Sequence, residues 1–163
     1  MSFYFSVALK HLKLSLVTLL GLGFFPLAPG TWGSLGALAL FILLEFFFTP
    51  TFLSLVFLTL LLVSFPLSSF GAHHFAESDP APVVIDELVG LWLVFLPPLF
   101  IFNRLSPLAY ALGFLFFRFF DALKPPPIHH TQRLPGALGI VADDLAAGLI
   151  SAILLTIVKY HLW

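Results

Sequence analysis

The sequence contains no cysteine. Disulfide staples and thiolate metal sites are therefore excluded. Charge is nearly as scarce: seven Lys and Arg and eight Asp and Glu make up 9% of the 163 residues, where a soluble domain carries about 25%. The net charge is −1 and no run of basic residues occurs, which argues against nucleic acid as a partner. The opening MSFYFSVALKHLKL lacks a small-x-small cleavage site, so no removed signal peptide is expected.

What fills the chain instead is apolar. It is 60% hydrophobic with a mean hydropathy of +1.09. A single soluble core of this length cannot bury that surplus, so the solvent must be lipid. The expected fold is all-α: one membrane-embedded helical bundle over residues 1–163, with about five spans. They are placed at 35–48, 52–72, 84–102, 107–123 and 140–158. Residues 3–20 carry Lys10, His11 and Lys13 on or near one face and read as an interfacial helix. An ordinary first span fits them equally well. Residues 21–36 hold five Gly and two Pro in sixteen positions and predict a re-entrant loop, with Thr31 or Ser34 capping the helix that follows. Pro97-Pro98 is expected to kink or end the third span, and Gly90 to let a neighbouring backbone approach the face that carries Asp86. Ser106-Pro107 reads as the start of the fourth span. Trp163 reads as an interfacial anchor.

The charges are not spread evenly. Arg118, Asp121, Lys124, Arg133, Asp143 and Asp144 fall within 27 residues between almost purely apolar flanks. Charge at the edge of an oily region is costly, and each such residue is a candidate for function. Counting crossings brings the Gly/Pro loop with Thr31, the Asp79 loop, Asp86, Glu87, Asp121, Lys124, Arg133, Asp143 and Asp144 to one membrane face. Five carboxylates at one depth (Asp86, Glu87, Asp121, Asp143 and Asp144) cannot all stay ionised without a cation. Oxygen-only ligation favours Mg²⁺ or Mn²⁺ over zinc. Arg118 and Lys124, with Arg133 nearby, supply the positive charge that a phosphate needs. A glycine-rich turn feeding a helix N-terminus near Thr31 can also receive an anion. Metal, carboxylates and a phosphate clamp together describe phosphoryl transfer or hydrolysis. Structural readings compete: Arg118–Asp121 as a helical ion pair, Asp143 and Asp144 as acids suited to a first turn, and the Gly/Pro loop as a turn that merely packs. The His73-His74 and His129-His130 pairs read as interfacial loop residues rather than ligands.

The blocks GLGFFPLAPGTWGSLGAL, SDPAPVVIDELVG, FRFFDALKPPPI and GALGIVADDLAAGL resemble, in order, the four motif blocks of the phosphatidylglycerophosphatase A family, over roughly residues 21–150. The resemblance implies a Mg²⁺-dependent enzyme of the bacterial inner membrane. It would remove the terminal phosphate of phosphatidylglycerophosphate to leave phosphatidylglycerol. Carried onto this chain, the functional positions are Thr31, Asp79, Asp86, Glu87, Arg118, Asp121, Lys124, Asp143 and Asp144. Two other lipid-phosphate chemistries lack their blocks here: the P-S-G-H of phosphohistidine phosphatases and the D-G-x-x-A-R of CDP-alcohol transferases. A small transporter or proton pathway is the competing reading, and it predicts acids spread through the membrane depth.

Lys10, Lys13, Lys124 and Arg133 lie on the motif side and Arg104 and Lys159 on the other, so the positive-inside rule places the motifs in the cytoplasm. The absence of native cysteine allows a direct test. In intact cells an impermeant thiol reagent should miss Ser78→Cys and Thr131→Cys and label Thr51→Cys and Asn103→Cys. The reverse pattern overturns the orientation, and opposite labelling of Ser78→Cys and Thr131→Cys overturns the span count.

Overall fold

Prolines punctuate this chain. Pro29, Pro50 and Pro107 each open a helix, a position where the missing N–H costs nothing. The computed structural model describes residues 2–162, which contain helices and no strand. The order is α1 (Ser2–Val17), a 3₁₀ turn (Leu22–Phe24), α2 (Pro29–Phe47), α3 (Pro50–Phe75), α4 (Ile85–Phe102), α5 (Pro107–Leu123), the short α6 (Ile128–Thr131) and α7 (Ala137–Leu162). Thr49 caps α3 by accepting from the Phe52 N–H at 3.3 Å, and Ser106 caps α5 by accepting from Ala109 at 3.2 Å. Trp163 lies outside the described residues.

Among the described residues, four helices are long and apolar enough to cross a membrane: α2, α3, α4 and residues 137–161 of α7. At 17 residues α5 is one residue shorter than the shortest of them. Their outer faces carry Phe46, Leu62, Leu115 and Ile153 exposed, as a lipid solvent requires. Helix α1 is exposed from Tyr4 to Leu12 and is anchored at its end. There Val17 is buried against Gly71 of α3 and its carbonyl accepts the Val84 N–H at 2.9 Å.

Two expectations fail in detail. The re-entrant loop does not extend to Gly36, because α2 already begins at Pro29. Neither Thr31 nor Ser34 caps it; the N-cap is Ala28, with no side-chain hydrogen bond. The physical reason is the spacing of small residues. Gly30, Gly33, Ser34 and Ala37 recur at helical intervals and form one smooth face, on which Gly33 lies tight against Val84. Nor do Pro97 and Pro98 end α4, which runs on to Phe102. Helix α4 is the centre of the bundle: 67% of its 18 residues are buried, against 22% and 28% of the apolar 18-residue stretches of α2 and α3. Surrounding helices hold its backbone where the prolines remove hydrogen bonds.

Apolar burial alone drives little association between helices in lipid, so close packing and hydrogen bonds must hold α4 in place. Trp92 on α4 is fully buried and donates its Nε1–H to the Ala37 carbonyl of α2 at 2.9 Å. The Phe41 ring packs edge-on against it at 5.3 Å, and Phe95 packs against Phe41 at the same separation. On the other side α4 and α7 touch backbone to backbone. A Cβ at Gly90 would sit 2.7 Å from the Asp144 carbonyl oxygen, and one at Gly148 would collide with the Gly90 carbonyl. At the far end of the bundle Tyr110 of α5 donates to Glu45 of α2.

Gly148→Val should therefore force α4 and α7 apart and cost about 1–3 kcal/mol or more. Thermal unfolding in detergent, followed by Trp fluorescence, should show a clearly lowered midpoint. An unchanged midpoint would mean that the crossing can widen without loss.

Candidate active site

The α4–α7 crossing decides where the acids meet. Asp86 and Glu87 stand one turn before Gly90, and Asp144 stands one turn before Gly148. Bringing the two glycines together brings these three carboxylates together at one end of the bundle. One oxygen from each of Asp86, Glu87 and Asp144 lies within 4.8 Å of the others. Helix α5 ends beside them with Arg118, Asp121 and Lys124, and α2 begins beside them with Gly30. The result is a cavity of about 420 Å³ lined by Gly30, Asp79, Asp86, Glu87, Arg118, Asp121, Lys124, Asp143 and Asp144.

The charges inside it are sorted. Arg118 Nη1 donates to Asp121 Oδ2 at 2.7 Å and to Ser34 Oγ at 3.2 Å, while Ser34 donates to the Gly30 carbonyl at 2.7 Å. Lys124 Nζ donates across to Asp143 Oδ2 at 2.5 Å. Lys124 is the C-cap of α5, in the left-handed region at φ 42°, a backbone conformation that favours glycine or asparagine. Burial pushes the Lys124 ammonium toward losing its proton. The hydrogen bond and charge of Asp143, with Asp144 and Asp121 behind it, outweigh burial and hold its pKa above the ordinary lysine value.

No such answer exists for the other three carboxylates. Asp86 Oδ1, Glu87 Oε2 and Asp144 Oδ2 are buried without a hydrogen-bond partner. Buried anionic oxygens without donors are costly and call for a cation. The set is all carboxylate, and its atoms are close enough to share one ion. These donors fit a hard divalent ion such as Mg²⁺. Asp121 and Asp143 line the same cavity, and each gives one oxygen to a basic side chain, Arg118 and Lys124 in turn.

Seven of the sequence candidates therefore line one cavity, together with the further candidate Asp79. Two do not. Thr31 is partly buried in the first turn of α2, where its N–H donates to the Ala28 carbonyl at 2.9 Å, and Gly30 lines the cavity in its place. Arg133 is exposed on the segment between α6 and α7 and lines no part of the cavity. Sequence reasoning missed the roles of Gly30 and Ser34. A Cβ at Gly30 would collide with Glu87 Oε1 and stand 3.3 Å from Arg118 Nη1, and Ser34 is fully buried against Arg118. The small-residue spacing 30, 33, 34, 37 was the available signal. Of the histidines, His74 stacks on Phe70 with ring centroids 5.7 Å apart, and none lines this cavity.

Comparison with known proteins places these features in company. Residues 15–159 match the family described as phosphatidylglycerophosphatase A. A protein of Escherichia coli named phosphatidylglycerophosphatase A is 34% identical over 163 residues, covering 95% of this chain and 91% of its own length. One of the same name from Haemophilus influenzae is 34% identical over 146 residues, covering 86% and 84%. A protein of Bacteroides thetaiotaomicron that carries the provisional name phosphatidylinositol-3-phosphatase is 34% identical over 145 residues, covering 86% and 89%. No solved structure matches.

If Arg118 and Lys124 grip phosphate, Arg118→Ala and Lys124→Ala should each lower kcat/KM for phosphate release by roughly 10- to 100-fold, the worth of a charge-assisted hydrogen bond. Arg118→Lys should also be impaired, because an ammonium cannot hold Asp121, Ser34 and a phosphate in one plane. Unchanged kinetics in Lys124→Glu would reduce that residue to a surface tether.

Proposed function

The chain belongs to the phosphatidylglycerophosphatase A family, and from that premise we propose that it hydrolyses the terminal phosphate of phosphatidylglycerophosphate, with Mg²⁺ held by Asp86, Glu87 and Asp144. The observation that carries the proposal is the meeting of charge: three unanswered carboxylates gathered together, with Arg118 and Lys124 lining the same cavity. When bound, the ion supplies positive charge to the phosphate oxygens and acidifies a coordinated water.

The chain's own residues do the rest. Arg118 is fixed by Asp121 and Ser34, which leaves its remaining N–H groups for phosphate oxygens. Lys124, kept protonated by Asp143, adds a second charge from the α5 side. Gly30 lets the α2 backbone close on Glu87 and Arg118 without a side chain between them. In the net reaction a new bond forms between a water oxygen and phosphorus. The bond from phosphorus to the terminal glycerol oxygen breaks, and that oxygen leaves as a hydroxyl carrying a proton from water. The lipid tails stay in the bilayer, so the cavity belongs at headgroup depth. The basic bias of the sequence supports the cytoplasmic face of a bacterial inner membrane. A conducting path would need acids in file through the bundle, and the gathering of acids in one cavity favours the enzyme.

The deciding assay is phosphate release from phosphatidylglycerophosphate by the purified chain, with Mg²⁺ and with EDTA. Release should require Mg²⁺ and should vanish in Asp144→Asn while Trp fluorescence shows the protein still folded. Full activity in EDTA would remove the metal from the mechanism. A phosphoinositide is the comparison substrate, since one relative of equal identity is named for that activity.

A further inference from the structure

A second cavity, of about 670 Å³, lies between the end of α3 and the start of α7. It shares Asp79 and Asp143 with the acid cavity, so the two are neighbours across a common wall. Its other polar lining comes from Ser69, His73, Glu77, Ser78 and Gln132. These are hydroxyl, carboxamide, imidazole and carboxylate groups, and no Lys or Arg lines the space.

That charge pattern excludes one occupant and favours another. The acid cavity has Arg118 and Lys124 to offset its carboxylates, whereas this space adds Glu77 and has no basic lining, so neither the scissile phosphate nor the released one belongs here. A neutral polyol suits the same walls, because its hydroxyls donate to carboxylates and both donate to and accept from Ser and Gln side chains. Asp143 provides the specific anchor. Its Oδ2 is taken by Lys124, while its Oδ1 is buried with no partner. A hydroxyl donated there would satisfy that oxygen. The alcohol on the far side of a scissile P–O bond must also lie next to the phosphate site, and this cavity is adjacent to it.

We infer that the α3–α7 cavity is the subsite for the hydroxyl-bearing alcohol of the substrate, with His73 and Gln132 as specificity-determining residues. The inference rests on the phosphatase reading and adds to it a requirement for a polyol between the two phosphates. A lipid phosphate lacking the free hydroxyl should leave Asp143 Oδ1 unpaired and turn over poorly.

The experiment compares two lipids on the full chain in detergent with Mg²⁺: phosphatidylglycerophosphate, and its analogue with propane-1,3-diol in place of the terminal glycerol. The wild type should prefer the hydroxylated lipid by roughly tenfold or more in kcat/KM. His73→Ala and Gln132→Ala should each erode that preference by raising KM for the hydroxylated lipid several-fold more than KM for the analogue. Both residues are exposed, so the variants should fold, and Trp fluorescence checks it. Equal wild-type rates on the two lipids, or variants that slow both lipids alike, overturn the subsite. Phosphate release from neither lipid overturns the phosphatase reading and the subsite with it.

Discussion

A carboxylate in an apolar bundle must be answered by a hydrogen-bond donor or a cation. This chain has eight acids in all, and seven of them gather at one end of the structure, around two adjoining cavities. Two are answered within the protein, by Arg118 and Lys124. Three more converge and are not. The division separates what the fold completes for itself from what it leaves for an ion. The Lys124–Asp143 pair ties the end of α5 to α7, and the unanswered trio is built by the packing of α4 on α7. Folding and site assembly are thus one event, because the glycine contact that joins the two central helices also sets the spacing of the carboxylates.

Much of this was legible in the sequence, for identifiable reasons. The lipid solvent followed from scarce charge and abundant apolar residues. The meeting of Asp86, Glu87, Asp121, Lys124, Asp143 and Asp144 followed from counting crossings, which fixes the end of the bundle at which each residue lies. Gly90 was readable as a contact point because it lies four residues from Asp86. What could not be read was pairing. Spacing along α5 places Arg118, Asp121 and Lys124 on one face, yet Lys124 turns at a left-handed cap and reaches Asp143 on another helix. The loop expected over 21–36 shows the opposite kind of error. Glycine content was weighed there as a helix breaker, while in a bilayer the same residues at intervals of three and four make a helix face. Arg133 was charged and close in sequence, but its segment swings out of the site.

Ser34 shows how little side chain a positioning role requires. Its hydroxyl donates back to the Gly30 carbonyl and receives Arg118, so the first turn of α2 and the last turns of α5 are joined by one oxygen. Larger residues on that face would block the approach of Val84 and Glu87 to Gly33 and Gly30. Smallness and polarity are both needed at position 34, for different neighbours.

The contact between Gly90 and Gly148 also has a mechanical meaning. From each glycine back to its acid is four residues, about 6 Å along a helix axis. A bilayer that thickens or thins tilts its helices, and tilt about a crossing point displaces atoms in proportion to their distance from it. Here the fulcrum sits almost at the reacting end, and the long arms extend toward the far leaflet. Changes in acyl-chain length would swing the Glu45–Tyr110 end of the bundle widely while hardly moving the trio. A site so close to the crossing point is thereby insulated from the thickness of the bilayer around the bundle.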